Sequence, residues 1–168
     1  MSSLAEKTVS PRLSWGLREL GIDALWRMGL TGAGVQVGHL DTGVAGQHPA
    51  LTGRIAAFLE TDEEGRAVPS ATPRDTASHG THTAGILCGG VLDGEAIGVA
   101  PDADLVCYSI GEVLFTTAVV SAYDPMLDQP DLWGIDVVNN SWGNSYKQYD
   151  PRNPVAVATE AFADQRGG

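Results

Sequence analysis

Positive charge is what this chain has least of. Ten Lys and Arg stand against 21 Asp and Glu, a formal net charge of −11, and no basic run or aromatic-basic stripe gathers the cations. Holding a nucleic-acid backbone or an anionic membrane surface takes clustered Lys and Arg. Neither partner is expected, and the acidic excess reads as solvated surface. Long hydrophobic runs are missing too. Glu6, Lys7, Arg12, Arg18, Glu19 and Asp23 interrupt the first 30 residues, leaving no apolar core for a secretory signal. No stretch approaches the roughly 20 apolar residues of a membrane span. The compartment is left open, with the cytoplasm slightly favoured over secretion. Cysteine is scarce as well: Cys88 and Cys107, both in apolar contexts, make no disulfide framework, so two buried free thiols are expected.

What is present is enough apolar material for one core. The chain has 168 residues, 43% hydrophobic and 18% charged, which fits a single domain or part of one. Residues 1–12 are polar and mixed and read as a loose arm; residues 13–168 read as the single folded unit. Apolar spacing predicts two short helices between Leu13 and Met28, broken at Gly21. Val35–Leu40 is a mainly apolar strand of the kind found inside a parallel sheet. Arg54–Leu59 is a second strand, and the polar stretch Glu60–Thr76 with its prolines is a surface excursion.

A helix rich in small residues is predicted over Thr83–Leu92, with His79 at its mouth and Asp93 Gly94 as its stop. Leu105–Ile110 is a third strand, Val113–Tyr123 a helix and Asp124–Asp131 a loop. Ile135–Ser141 is a fourth strand, and Pro154–Asp164 a final helix opened by its proline. Strands alternating with helices in this way predict an α/β layered fold with a mainly parallel sheet.

Two residues in this frame carry chemistry. Asp41 closes the Val35–Leu40 strand, and ligands collect at the carboxyl ends of strands in such sheets. His79 opens a helix. A carboxylate and an imidazole so placed are the orienting group and the base that a serine hydrolase needs. A zinc reading of His79 and His82 with Asp41 finds no further residues to complete a ligand set. His82 is expected to be a structural hydrogen-bonding residue, and His39 a satisfied buried histidine.

Four blocks, taken together, resemble one family. Asp41 Thr42 Gly43, then His79 Gly80 Thr81 His82 Thr83 Ala84 Gly85, then Gly98 Val99 Ala100 Pro101, and Val138 Asn139 Asn140 Ser141 Trp142 Gly143 are similar, in order, to the successive blocks of the subtilisin-like serine proteases, the subtilases. The resemblance runs from about Trp15 to the last residue. It implies the amino-terminal part of a peptidase domain, a three-layer α/β sandwich left incomplete on its carboxyl-terminal side. Asp41 would be the triad carboxylate and His79 the general base and acid. Ser141, Trp142 and Gly143 would be a backbone rail pairing with an extended peptide or protein substrate beside the S1 pocket. Gly111, with Glu112, would form the opposite rail. Trp142 would lean over the substrate, and Glu112 would favour basic side chains.

The resemblance also defines what does not match. The family's oxyanion asparagine and the Gly Thr Ser block bearing its nucleophile have no counterpart among these residues; Ser78 is poorly placed to reach the ring of His79, and Ser141 fits the rail. The chain alone is therefore expected to be inactive, with serine and oxyanion donor supplied by a complementing carboxyl-terminal segment or a second chain. The same complement is expected to cover the open sheet edge at Ile135–Asn140. The family's tight calcium site takes an aspartate after the His Pro pair and an asparagine after the histidine helix. Ala50 and Leu92 stand there, so no calcium, and no other metal or cofactor, is expected. Two other readings of the chain are a non-catalytic pseudo-protease that holds an extended peptide along Ser141–Gly143, and a hydrolase with an unrelated nucleophile or a metal.

Overall fold

Two faces of one strand explain the layering. A computed structural model describes residues 11–112, 116–128, 134–143 and 150–165. In it, β2 (Gln36–Asp41) is buried over its last five residues, as a strand covered on both faces must be. The main sheet has the order β3 (Ile55–Glu60), β6 (Asp104–Ser109), β2, β7 (Val137–Asn139). All three pairings are parallel.

Because side chains alternate along a strand, Val37 with Leu105 and Cys107 faces one side, where Ala84 and Cys88 of α3 (His79–Cys88) pack. Leu40 with Val106 and Tyr108 faces the other. There they meet Val119, Tyr123 and Met126 of α4 (Thr116–Asp128) and Phe162 of α5 (Pro154–Gln165). Tyr123 and Phe162 meet edge to face, with ring centroids 6.3 Å apart. Sheet and helices on both faces make the expected three-layer α/β sandwich. Each large side chain buried in it contributes about 1.5–3 kcal/mol of transfer free energy.

Both thiols are buried and free, Cys88 on α3 and Cys107 on β6. Burial pushes the Cys88 thiol up to about 11 and that of Cys107 higher still, so both are inert.

A second, small sheet joins β1 (Arg12–Leu13), β5 (Glu95–Ala96) and β4 (Val91–Leu92). It corrects two expectations. Arg12 belongs to this sheet, its N–H donating to the Gly94 carbonyl at 3.0 Å, and not to a loose arm; residues 1–10 lie outside the described residues. Residues 91–92 are strand, where a helix over Thr83–Leu92 was expected. The helix spans His79–Cys88, and Gly89 leaves it in an extended conformation. Asp93 and Gly94 both adopt positive φ, 50° and 76°. That pair is a hairpin turn, so the dipeptide read as a helix stop reverses the chain between β4 and β5.

The two predicted amino-terminal helices form as α1 (Trp15–Glu19) and α2 (Ile22–Arg27), separated by Gly21 at φ 66°. A larger correction concerns α4, which continues through Pro125 to Asp128 where a loop was expected. Proline removes one helical hydrogen bond. Ala122, Tyr123 and Met126, all buried on either side of it, hold the helix in place. Strand β7 is shorter than the predicted Ile135–Ser141. Among the described residues it pairs with β2 alone, and Val137 is half exposed at the sheet margin.

Candidate active site

The exit of β2 and the start of α3 are clamped together by short polar side chains. The backbone N–H of Gly80 donates to Thr42 Oγ1 at 2.9 Å. The Thr42 hydroxyl in turn donates to Asp75 Oδ1 at 2.7 Å. That carboxylate also accepts from the backbone N–H groups of Ala77 and Ser78, each at 3.1 Å, and of Thr81 at 2.7 Å. These N–H groups precede or open α3 and have no partner within the helix, and a negative charge is favoured where they point. Burial pushes the Asp75 carboxyl upward, but hydrogen bonds from the side chains of Thr81 and Thr42 and from the backbone outweigh it and hold the group below the usual carboxylate range.

The clamp brings Asp41 and His79 into contact. Asp41 is only 3% exposed. Its Oδ1 accepts from His79 Nδ1 at 2.7 Å and from the Thr42 backbone N–H at 2.7 Å. Oδ2 accepts from Thr83 Oγ1 at 3.0 Å. An ionised carboxylate can only accept, so Nδ1 carries the proton and Nε2 of the neutral ring keeps its lone pair. The His79 side chain is half exposed, and its ring lines an open cleft. Chemically, the pair can take a proton at Nε2 and stabilise the cation that results.

All six residues singled out from the sequence line that one cleft of about 330 Å³: Asp41, His79, Gly111, Ser141, Trp142 and Gly143, with Glu112 beside them. Ser141 is held by its hydroxyl donating to Asn139 Oδ1 at 2.9 Å. Trp142 is anchored from beneath. Its indole N–H donates to the Leu40 carbonyl at 2.9 Å and its ring packs against the core while lining the cleft.

The expectation for His82 is corrected. It is exposed, makes no side-chain hydrogen bond among the described residues, and lines an apolar groove. His39 is the satisfied buried histidine expected, 1% exposed, with Nε2 at 2.9 Å from the Gly80 carbonyl.

Sequence reasoning missed Asp75 and Thr83. Thr83 follows His79 by four residues, which places both on one helix face, a spacing that could have revealed it. Asp75 sits in a polar stretch where nothing distinguishes it from its charged neighbours. No group of three or more His, Cys, Asp or Glu side chains placed to hold a metal ion occurs among the described residues. Nor is any of their helices long and apolar enough to cross a membrane.

Comparison with known proteins gives the chain a family and a fold. The sequence pattern of the subtilase family matches residues 32–167. The chain is 32% identical over 164 residues to the minor extracellular protease Vpr of Bacillus subtilis, covering 92% of this chain and 20% of that protein. It is 33% identical to fervidolysin of Fervidobacterium pennivorans, covering 87% and 22%, and 32% identical to human furin, covering 90% and 20%. The chain thus spans about a fifth of each relative's length. Among solved structures, the Clostridium perfringens CspB protease superposes with a TM-score of 0.71 over 84% of this chain and 36% of its own, at 24% identity, a likeness of fold.

Proposed function

The chain belongs to the subtilase family of subtilisin-like serine endopeptidases, and from that premise we propose that it supplies the acid-base half of a peptide-hydrolysing centre. Asp41 orients and His79 moves the proton. A serine hydroxyl gives its proton to His79 Nε2 as its oxygen attacks the carbonyl carbon of an extended peptide or protein substrate. The imidazolium so formed is stabilised by Asp41, then donates the proton to the departing amine. Water repeats the sequence on the acyl group. Ser141–Gly143 and Gly111 hold the substrate backbone on either side of the cleft, and Glu112 draws basic side chains. The observation that carries this reading is the 2.7 Å contact of His79 Nδ1 with the buried Asp41 carboxylate, which leaves Nε2 as the base.

No Gly Thr Ser block occurs in these residues. The reading therefore takes the serine and an oxyanion donor from a further segment or a second chain, seated at the β7 margin. A calcium ion has no place in it. The methyl group of Ala50 is buried and its carbonyl already accepts from the Gly90 N–H at 2.8 Å, while Leu92 brings hydrocarbon. A hard cation would lack the oxygens it requires.

A serine-directed phosphonate, applied to the polypeptide that carries this chain and mapped by mass spectrometry, tests the reading. Labelling at a serine outside these 168 residues, lost in His79→Ala, is expected. Peptide binding without labelling would mean a pseudo-protease, and chelator-sensitive turnover without labelling would mean a metal hydrolase; either result overturns the proposal.

A further inference from the structure

The buried ring of His39 on β2 lies between α3 and β7. Its Nε2 is 2.9 Å from the Gly80 carbonyl oxygen, one residue after His79. A carbonyl only accepts, so Nε2 carries the proton. Burial holds His39 below the usual imidazole range against the opposing pull of the Gly80 hydrogen bond and of Asp41 and Asp75, so Nδ1 is left as an acceptor. The group facing Nδ1 is the side-chain amide nitrogen of Asn139, at 3.2 Å. That contact decides which way the amide points. With Nδ2 turned down to the ring, Oδ1 is the atom that accepts from the Ser141 hydroxyl at 2.9 Å. On the helix side, Thr83 Oγ1 lies 3.4 Å from Nε2 and donates to Asp41 Oδ2.

One imidazole therefore joins the amino end of the histidine helix to the strand that continues into Ser141–Gly143. An aliphatic side chain in its place would take the imidazole N–H from the Gly80 carbonyl, which would keep Thr83 Oγ1 at 3.1 Å but lose its link to β2 and β7, and would leave the Asn139 amide with nothing to favour one orientation. We propose that His39 is a positioning residue for the active site, its Nε2–H fixing the helix end that carries His79 and its Nδ1 fixing the Asn139 amide that anchors the Ser141 substrate rail. The inference rests on the active-site reading given above.

The two halves of the role can be separated by substitution. In His39→Asn the side-chain amide reaches about as far as Nδ1 and can accept from Asn139, while the bond to Gly80 is lost. In His39→Gln the amide reaches about as far as Nε2 and can donate to the Gly80 carbonyl, while Asn139 loses its partner. His39→Val makes neither bond. Kinetics on an extended chromogenic peptide are measured with the polypeptide that carries this chain. The expected result is a split. His39→Asn keeps KM within about twofold of wild type and loses kcat about tenfold. His39→Gln keeps kcat and raises KM about tenfold. His39→Val suffers both. Should the valine variant fail to fold, the asparagine and glutamine pair decides alone. Variants that change melting temperature but leave kcat and KM unmoved would overturn the proposal, as would an equal loss of both constants in Asn and Gln. Asp41→Asn is run beside them. If it too is fully active, the active-site reading falls with the proposal; if it is inactive while the His39 variants match wild type, only the role of His39 falls.

Discussion

Gly80 packs so closely on the backbone of Gly43 that a Cβ added to it would lie 2.0 Å from the Gly43 carbonyl oxygen. Contact between the turn after Asp41 and the residue after His79 thus depends on the absence of a side chain, and the neighbour is backbone that cannot rotate away. Gly80→Ala should cost about 3 kcal/mol, in the upper range for overpacking, and thermal melting measures it. Gly16→Ala in α1, where a Cβ meets nothing within 4 Å, is the control. Helix propensity predicts that it leaves stability unchanged or raises it by about 0.5–1 kcal/mol.

Asp75 is the second support of the same junction. Its carboxylate accepts from two threonine hydroxyls and from three backbone N–H groups around the start of α3. Asp75→Ala leaves those donors unpaired and should lower stability by about 2–3 kcal/mol, in the range for hydrogen bonds to a charged group. Denaturant unfolding checks it. Asp75→Ser, which leaves a shorter acceptor, should recover part of the loss.

Burial of His39 makes stability depend on pH. Its folded-state value lies below the ordinary one chiefly through desolvation, with His79 adding to the lowering. The hydrogen bond to the Gly80 carbonyl, Asp41 and Asp75 oppose it, and on the adjoining strand β6 the residue paired with His39 is the inert thiol of Cys107. The unfolded chain therefore binds a proton at higher pH than the folded one does. Stability is full above about pH 6.5 and declines as pH falls from there toward the lowered folded value. Melting temperatures between pH 7 and pH 5 should fall more steeply in the wild type than in His39→Asn. Equal slopes would mean that the ring titrates alike in both states.

Much of the arrangement is legible in the residues themselves. The apolar run Val35–Leu40 marks a central strand with Asp41 at its end, and the blocks around His79 and Ser141 supply the other walls of one cleft. What escapes is set by contacts distant in sequence. Asp75 caps the start of the histidine helix partly through the nearby N–H groups of Ala77 and Ser78, a local pattern common to polar turns, and what singles it out, its bond from Thr42, comes from an element 33 residues away. Pro125 argues for a loop, and the buried side chains around it override the local rule. Asp93 Gly94 fits a helix stop and a hairpin turn equally well until β5 is seen pairing with β4. The bond from the Trp142 indole N–H to the Leu40 carbonyl, 102 residues away, is likewise invisible in the local sequence.

The contact between Asp41 and His79 is tested most directly by the kcat of Asp41→Asn in the polypeptide that carries this chain. An asparagine amide can turn its N–H toward Nδ1 and stabilise the wrong ring tautomer, so kcat on an extended peptide should fall by about 10⁴-fold with KM little changed and melting temperature near wild type. A variant retaining kcat within a few-fold of wild type would contradict the account.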